Sequence, residues 1–436
     1  MKDKNLNIEV HHVTRVEGHG NIYVNVKEGR IERCEWNISE APRFFEAMVV
    51  GRYWNELHHI TSRICGICSI GHTLASLKTT EEAMGIKVSE QDVKLRKLAL
   101  HAENMQSHLL HLGFLVLPDL MGVGSVIPLA SSNPEELKTV LRLHRLANEM
   151  SNMLCGRTTH PQRLIPGGFS KIPTMKELDT MRKRLREAVT DVQTVAELFN
   201  KLVGGFPDFT RETEFIALTK PDEYALYDGK LASTDTGTAP VAEYLTYANE
   251  YIVPNSTAKW SKHSRESYMV GALARFNINH EKLSPLAKKT AENFGLKAVC
   301  HNPFMNNIAQ LVEVVHSIED SIRLINELEA DGLKSQPEYY KPDVKVKAGR
   351  GVGAVEVPRG ILFHDYTYND KGVCTKANCV IPTNQNHGNI QLDMNALLPK
   401  ILGRPEKEIE LKLEMLVRAY DPCISCSTHA VKVYFT

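Results

Sequence analysis

Two Cys-x-x-Cys pairs stand near opposite ends of the chain. Cys65 and Cys68 lie in Arg63-Ile64-Cys65-Gly66-Ile67-Cys68, and Cys423 and Cys426 in Asp421-Pro422-Cys423-Ile424-Ser425-Cys426. Deprotonated thiols are strong, soft donors, so four of them make a ready site for a soft metal. A compact zinc finger joins its two knuckles across roughly 12–20 residues. Here most of the chain lies between the pairs, so a shared metal requires the fold to bring its two ends together. The thiols alone leave structural zinc and an iron–sulfur cluster open. Three neighbours change the odds. His72 follows Cys68 closely, Glu17 lies in Arg15-Val16-Glu17-Gly18-His19, and Arg359 sits on the loop Val357-Pro358-Arg359-Gly360. Structural zinc has no use for a poised arginine, a carboxylate and a histidine beside it.

In their joint order these motifs resemble the large, catalytic subunit of nickel–iron hydrogenases, in its cytosolic multimeric branch. The resemblance runs from Arg15 to His429. It rests on Arg-Val-Glu-Gly-His, on Arg-Ile-Cys-Gly-Ile-Cys with His72, and on Gly156-Arg157 with His160-Pro161 and Pro166-Gly167-Gly168. Val357-Pro358-Arg359-Gly360, Pro382-Thr383-Asn384-Gln385-Asn386, and Asp421-Pro422-Cys423 with Cys426 and His429 complete it. A related subunit of complex I shares the fold but lacks the metal-binding cysteines, so keeping all four points to the catalytic branch.

The resemblance implies roles. Cys65 and Cys423 would bind nickel terminally, and Cys68 and Cys426 would bridge nickel to an iron carrying carbon monoxide and cyanide. Cleavage of dihydrogen leaves a proton that needs a base, either the Cys423 thiolate or the Arg359 guanidine; Arg359 could instead stabilise charge. Glu17 would relay the proton outward, and Asp421 would hold Arg359. Pro358, Arg359, Pro382 and Thr383 would wrap the diatomic ligands, and His72 would orient a bridging thiolate. Glu46 and His429 would form a second site, for magnesium or iron. No cysteine pattern remains for an electron relay, so electrons would leave through an iron–sulfur small subunit. Beyond it the family implies a flavin or heterodisulfide-type module and a soluble carrier. Two simpler readings compete: Glu17 as an ion pair with Arg15, and Asp421 as an ordinary Asp-Pro turn. A non-catalytic zinc- or cluster-binding scaffold subunit, or an iron–sulfur electron carrier, remains the alternative of a different class.

Ser107 stands where the family often carries an aspartate. The family also usually loses its C-terminus after the histidine matching His429; here only residues 430–436 follow, and alternation at Val431, Val433 and Tyr434 reads as a short strand, so the tail is expected to stay. His101, His108 and His111 read as packing or surface residues rather than ligands. Cys34, Cys155 and Cys300 read as small buried hydrophobes, Cys374 and Cys379 as structural, and Arg182-Lys183-Arg184 as a solvated helix face.

These residues need a frame. Residues 21–26 and 31–36 alternate about a Lys27-Glu28-Gly29-Arg30 turn, a hairpin signal. Helical periodicity marks 42–52, 92–117, 134–154, 175–203, 306–330, 392–402 and 406–420, with Thr174 as an N-cap and Gly204-Gly205 as a stop. Residues 208–254 read as irregular, and 344–389 as strands and loops. The expected class is α+β, mainly α: a long-helix core with small β elements from both ends. It forms one interlocked domain over 1–436, with a β/loop segment 1–75, a helical core 76–340 and a β/loop and helix segment 341–436.

Composition excludes much else. Lys+Arg and Asp+Glu are both 52, which gives no basic surface for nucleic acid or anionic lipid. No run of ~20 apolar residues promises a membrane span, and the polar start is not a signal peptide. Nine cysteines, an odd number, fit reduced or metal-bound thiols in the cytoplasm better than a disulfide framework.

Overall fold

Apolar residues at alternate positions of Leu6–Val10 and Gly20–Lys27 bury one face of an antiparallel sheet completed by Arg30–Ile38. Val24 pairs with Ile8 on one side and Cys34 on the other. The expected hairpin is present; the first strand was not read from the sequence. Fully buried Trp36 ties this sheet to the Pro382–Ile401 helix: its indole N–H donates to His387 Nδ1 (3.1 Å) and its amide to Gln391 Oε1 (2.8 Å). The protein is seen here as a computed structural model describing residues 5–334 and 344–428. His429, the tail 430–436 and residues 335–343 of the expected segments lie outside the described residues.

The middle of the chain is helical, as expected. Glu90–Leu110, Pro134–Cys155, Met175–Leu202 and Asn306–Ala330 are long helices that pack on one another. Thr174 and Glu177 form a reciprocal capping box. The Glu90 helix does not run on to residue 117 unchanged. It passes into a π-helical turn over His111–Val116 and a short α-turn Leu117–Leu120. The Ser69–Met84 helix was missed. It is buried nearly all round, so it lacks the one-sided pattern that periodicity detects.

That helix lies tightly on the C-terminal sheet of Gly349–Val357, Gly360–Tyr368 and Cys374–Val380. Gly349, Gly351 and Gly353 line one face of the first strand. A Cβ on them would fall 2.6, 2.1 and 2.4 Å from the carbonyl oxygens of Ala83, Thr79 and Ala75 respectively. Two-residue steps along the strand thus match four-residue steps along the helix.

Three expectations are corrected. The helix 42–52 shrinks to Phe45–Val49, bounded by Phe44 and Gly51 at positive φ. Residues 382–386 are not a loop: Pro382, at the first helical position, opens a helix that runs to Ile401. The stretch 208–254 is not irregular but contributes Glu214–Thr219, Lys230–Ser233, Gly237–Ala239 and Asn249–Tyr251 to small sheets. One apolar core extends from Leu6 to Cys426, and a smaller one joins Ile216, Tyr244, Tyr268 and Phe363.

Candidate metal centre

The two chain ends meet at the cysteines. Cys65 and Cys423 have sulfurs 3.6 Å apart, and those of Cys423 and Cys426 are in direct contact. All three sulfurs lie within 4.8 Å of one another, buried. Cys68 stands beside this trio: its amide donates to Cys65 Sγ at 3.2 Å and its thiol is hydrogen-bonded to that of Cys65. Burial alone would raise the Cys65 pKa, but the Cys68 hydrogen bond and the Arg359 charge outweigh it and lower it; burial and the Cys65 charge push Cys68 well up.

Local structure places each group. Cys68 immediately precedes the Ser69–Met84 helix, and His72 in its first turns donates its amide to Cys68 O at 3.1 Å. The His72 ring is buried and meets His364 Nε2 through Nδ1 at 3.2 Å. Cys423 donates its amide to Thr383 Oγ1 at 3.0 Å, in the first turn of the Pro382–Ile401 helix. Glu17 forms a parallel bridge with Cys423, accepting from the Ile424 amide at 2.9 Å. Its carboxylate accepts from Ser425 Oγ (2.6 Å) and Ser425 N (3.1 Å). The Arg15–Glu17 pair does not form, because Arg15 turns to Asp119 and to the Leu115 carbonyl.

Arg359 is buried. Nη2 donates to Asp421 Oδ1 at 2.9 Å and Nε to the Asp421 carbonyl at 2.6 Å. Asp421 does occupy a turn, at φ 49°, and that turn is what aims both oxygens at the guanidinium. Burial would lower the Arg359 pKa, but Asp421 and the two nearby thiols raise it, so the group stays charged. Arg359 Nη1 is buried with no hydrogen-bond partner among the described residues. The strand end leading to Pro358 and Arg359 is braced by Arg275, which donates to the Val357 carbonyl (2.8 Å) and Pro358 carbonyl (3.0 Å) while gripping Glu313 and Glu356.

Several residues near the site carried no sequence signal. Glu103, 1 % exposed, accepts from the Ile70 amide (2.6 Å) and Gly71 amide (3.0 Å) at the start of the Ser69 helix. Burial drives its pKa well up, against those two amides and with the Cys65 charge. The glycine in Cys-Ser-Ile-Gly-His permits this contact: a Cβ at Gly71 would lie 2.1 Å from Val357 Cγ1 and 2.9 Å from Glu103 Oε1. Gln310 was also missed; it donates to Asp421 Oδ2 at 3.0 Å. Ser107 is buried, and its hydroxyl has no partner among the described residues.

Other expectations sort as follows. His101, His108 and His111 are all buried, none at the surface, and none joins the cysteine group. Cys155, Cys374 and Cys379 are buried, whereas Cys34, on an outer strand of its sheet, and Cys300, in a loop, are only half-buried. Arg182 is not solvated; it is largely covered and bonded to Asp179, Asn326 and Glu329, while Lys183 is exposed. Glu46 accepts from the Cys379 amide at 2.8 Å. Its expected partner His429 is outside the described residues, but Thr428 is bound to residues 41–43, through Arg43 N to Thr428 O (2.9 Å) and Thr428 Oγ1 to Ala41 O (3.2 Å).

The donor set fits a nickel–iron group: converging buried cysteine sulfurs beside a cationic N–H that has no hydrogen-bond partner among the described residues. The sequence profile of nickel-dependent hydrogenases matches residues 43–139 and 215–429, and a HoxL-like profile matches 7–41. The chain belongs to the nickel-dependent hydrogenase family. It is 33% identical to the alpha subunit of sulfhydrogenase 1 of Pyrococcus furiosus over 99% of this chain and 100% of that protein. It is 30% identical to a subunit of the F420-non-reducing hydrogenase vhc of Methanococcus voltae over 97% and 95%. The crystal structure of an NAD+-reducing [NiFe]-hydrogenase in the H2-reduced state superposes with a TM-score of 0.87 at 25% identity, covering 97% of this chain and 99% of that one. Family membership makes this hydrogenase chain an oxidoreductase acting on dihydrogen and supports a nickel–iron centre, with which the cysteine cluster is compatible. The α+β class, mainly helical, agrees with that fold. None of the helices among the described residues is long and apolar enough to cross a membrane.

Proposed function

We propose that this chain is the catalytic subunit of a cytoplasmic hydrogenase whose nickel and iron are held by Cys65, Cys68, Cys423 and Cys426, the iron carrying carbon monoxide and cyanide. The observation that carries the reading is the convergence of buried cysteine sulfurs from both chain ends beneath Arg359. When bound, the nickel–iron group supplies the reversible heterolytic cleavage of dihydrogen. The chain's own residues do the rest. Arg359, kept charged by Asp421, holds a fixed positive field over the sulfurs rather than serving as base. Thr383 and the Pro358 and Pro382 walls shape the pocket for the diatomic ligands, and His72 supports the thiolate side. Glu17 takes the proton on the Cys423 side, its carboxylate aimed by Ser425, and passes it outward.

Electrons leave where the site is nearest the surface. Gly66, between Cys65 and Cys68, is exposed, as is Arg63. Arg43 ties this loop to the segment before it, donating to the Ile64 carbonyl at 2.7 Å and the Arg63 carbonyl at 2.9 Å. That segment exposes Phe44, Met48, Val50 and Tyr53. An apolar and cationic face here suits docking of an iron–sulfur small subunit, with flavin or heterodisulfide-type subunits and a soluble carrier beyond it. Glu46 and His429 form the second cation site, for magnesium or iron, and the chain works as one domain.

Metal analysis and infrared spectroscopy of the purified complex test this reading. Nickel and iron with carbon monoxide and cyanide bands are expected. Zinc without nickel and no such bands would establish the non-catalytic scaffold instead.

A further inference from the structure

Pro358 and Arg359 are the two loop residues of a tight hairpin between the strands Gly349–Val357 and Gly360–Tyr368, with Val357 paired to Gly360. A carbonyl inside so short a turn lies off the strand ladder and, once buried, needs a donor from elsewhere. Arg275 supplies it. Its side chain is fully buried, and each of its five N–H groups has an acceptor. Nε and Nη2 take the two oxygens of Glu313, both at 2.6 Å. Nη1 takes Glu356 Oε2 at 3.0 Å and the Val357 carbonyl at 2.8 Å, and Nη2 takes the Pro358 carbonyl at 3.0 Å. Burial would lower the Arg275 pKa, but Glu313 and Glu356 raise it, so the fork stays charged and complete. Neutralising the two carboxylates would need only a positive charge; reaching both carbonyls as well needs the planar guanidinium.

The turn is also held from behind. Gly360, at φ 133°, has no room for a side chain: a Cβ would lie 2.5 Å from Val270 Cγ2 and 2.9 Å from the Gly271 nitrogen. A Cβ on Gly271 would lie 3.3 Å from the Arg359 carbonyl oxygen. Gly271 immediately precedes the Ala272–Asn279 helix and accepts from the Arg275 amide at 2.9 Å. That helix start is anchored to the other parts of the site. Val270 exchanges two hydrogen bonds with Asn386, at 2.9 and 3.2 Å, on the helix that opens with Pro382 and Thr383. Asn306 accepts from the Leu273 amide at 2.9 Å and donates to the Ala419 carbonyl at 2.8 Å, just ahead of Asp421. We infer that Arg275 is a positioning residue for Arg359: it clamps the Pro358–Arg359 turn to a segment, 270–275, that takes its own place from the Thr383 helix and from the approach to Asp421. The clamp stands on these contacts; its consequence for turnover rests on the role proposed above for Arg359.

Arg275→Lys in the holoenzyme tests this, because an ammonium keeps a charge between Glu313 and Glu356 but has three N–H groups for five acceptors. Peptide-resolved hydrogen–deuterium exchange reads the clamp. Amides of residues 356–360 should exchange about tenfold faster, while those of the Met175–Leu202 helix keep their rate. Unchanged exchange at 356–360 would overturn the inference. Equal acceleration in both segments would make Arg275 a general support of the fold and overturn it too. For turnover, kcat should fall about tenfold at unchanged KM and nickel content, and the carbon monoxide and cyanide infrared bands should shift. Faster exchange at 356–360 with kcat and bands unchanged, where Arg359→Lys does cost activity, would overturn the positioning of Arg359. Were Arg359→Lys equally silent, the reading of Arg359 would be the one at fault, and the exchange result would still support the clamp. Should Arg275→Lys fail to accumulate, Asn306→Ala releases the Leu273 amide at the same helix start and should give the same faster exchange at 356–360.

Discussion

Arg359 and Asp421 meet through two contacts of different kinds: the guanidinium takes the side-chain Oδ1 at 2.9 Å and the backbone carbonyl at 2.6 Å. One residue supplies both because it turns at φ 49° just before Pro422 and Cys423. Cys423, the proposed metal ligand, and the residue that aims the nearby cation therefore share a single turn, and a shift in one moves the other.

Arg359→Lys tests this coupling. An ammonium cannot span both oxygens with fixed planar geometry. Hydrogen uptake should fall about 100-fold, the loss of roughly 3 kcal/mol of transition-state stabilisation, with nickel content unchanged. Full activity in the metal-loaded lysine variant would show that a simple positive charge suffices.

Proton transfer through Glu17 predicts a graded pair of variants. Glu17→Gln keeps the Ser425 hydrogen bonds but cannot carry a proton, so hydrogen-dependent dye reduction should drop by about 100-fold or more. Ser425→Ala leaves the carboxylate and its bond from the residue 425 amide but removes the hydroxyl that aims Oε1, and should cost about tenfold. Both should retain nickel and iron. Glu17→Gln turning over at the original rate would place the proton exit elsewhere.

The helix that carries His72 should be sensitive to a single methyl group. At Gly351 a Cβ would lie 2.1 Å from the Thr79 carbonyl oxygen and 2.8 Å from the Ala83 amide, both backbone atoms that no rotamer change can move. Gly351→Ala should destabilise by about 2–3 kcal/mol and lower Tm. Gly403→Ala, with nothing within 4 Å of the new atom, should not. Equal Tm values for the two would mean that the helix and sheet separate easily.

Acid stability follows from His387. Its ring accepts the Trp36 indole N–H and meets Ser427 Oγ at 3.0 Å, and burial pushes its pKa down to about 3. An unfolded histidine titrates near 6.5. Between about 6.5 and 3 the unfolded chain binds a proton that the folded chain refuses, so stability falls as pH falls, by up to about 1.4 kcal/mol per pH unit from this group. Denaturant midpoints across that range should show a shallower slope in His387→Gln. An unaltered slope would assign the acid sensitivity to other groups.

The sequence singled out the cysteines that the fold brings together because cysteine spacing and loop motifs are local. It located the long helices Pro134–Cys155, Met175–Leu202 and Asn306–Ala330 because each, along at least part of its length, has one apolar and one wet face. It failed at the Ser69–Met84 helix, at 382–391 and at 208–254, where burial on every side erases the periodicity or short strands find distant partners. The competing reading of Glu17 as an ion pair with Arg15 does not hold, for a similar reason: nearness in sequence is outweighed by Asp119, which the fold delivers from the far end of the π-helical turn.

Residue types and order alone singled out four thiols, an arginine and a carboxylate as candidates for one chemistry, and they carry the match to the nickel-dependent hydrogenase family. Tertiary structure alone decided how the parts bear on each other. It set Cys65 against Cys423, gave Glu17 to Ser425, and made Asp421 the hinge between Arg359 and Gln310. The reason is physical. Donor strength and charge are properties of a side chain, whereas the partner that fixes a proton or an orientation is whichever group the packed chain brings within about 3 Å.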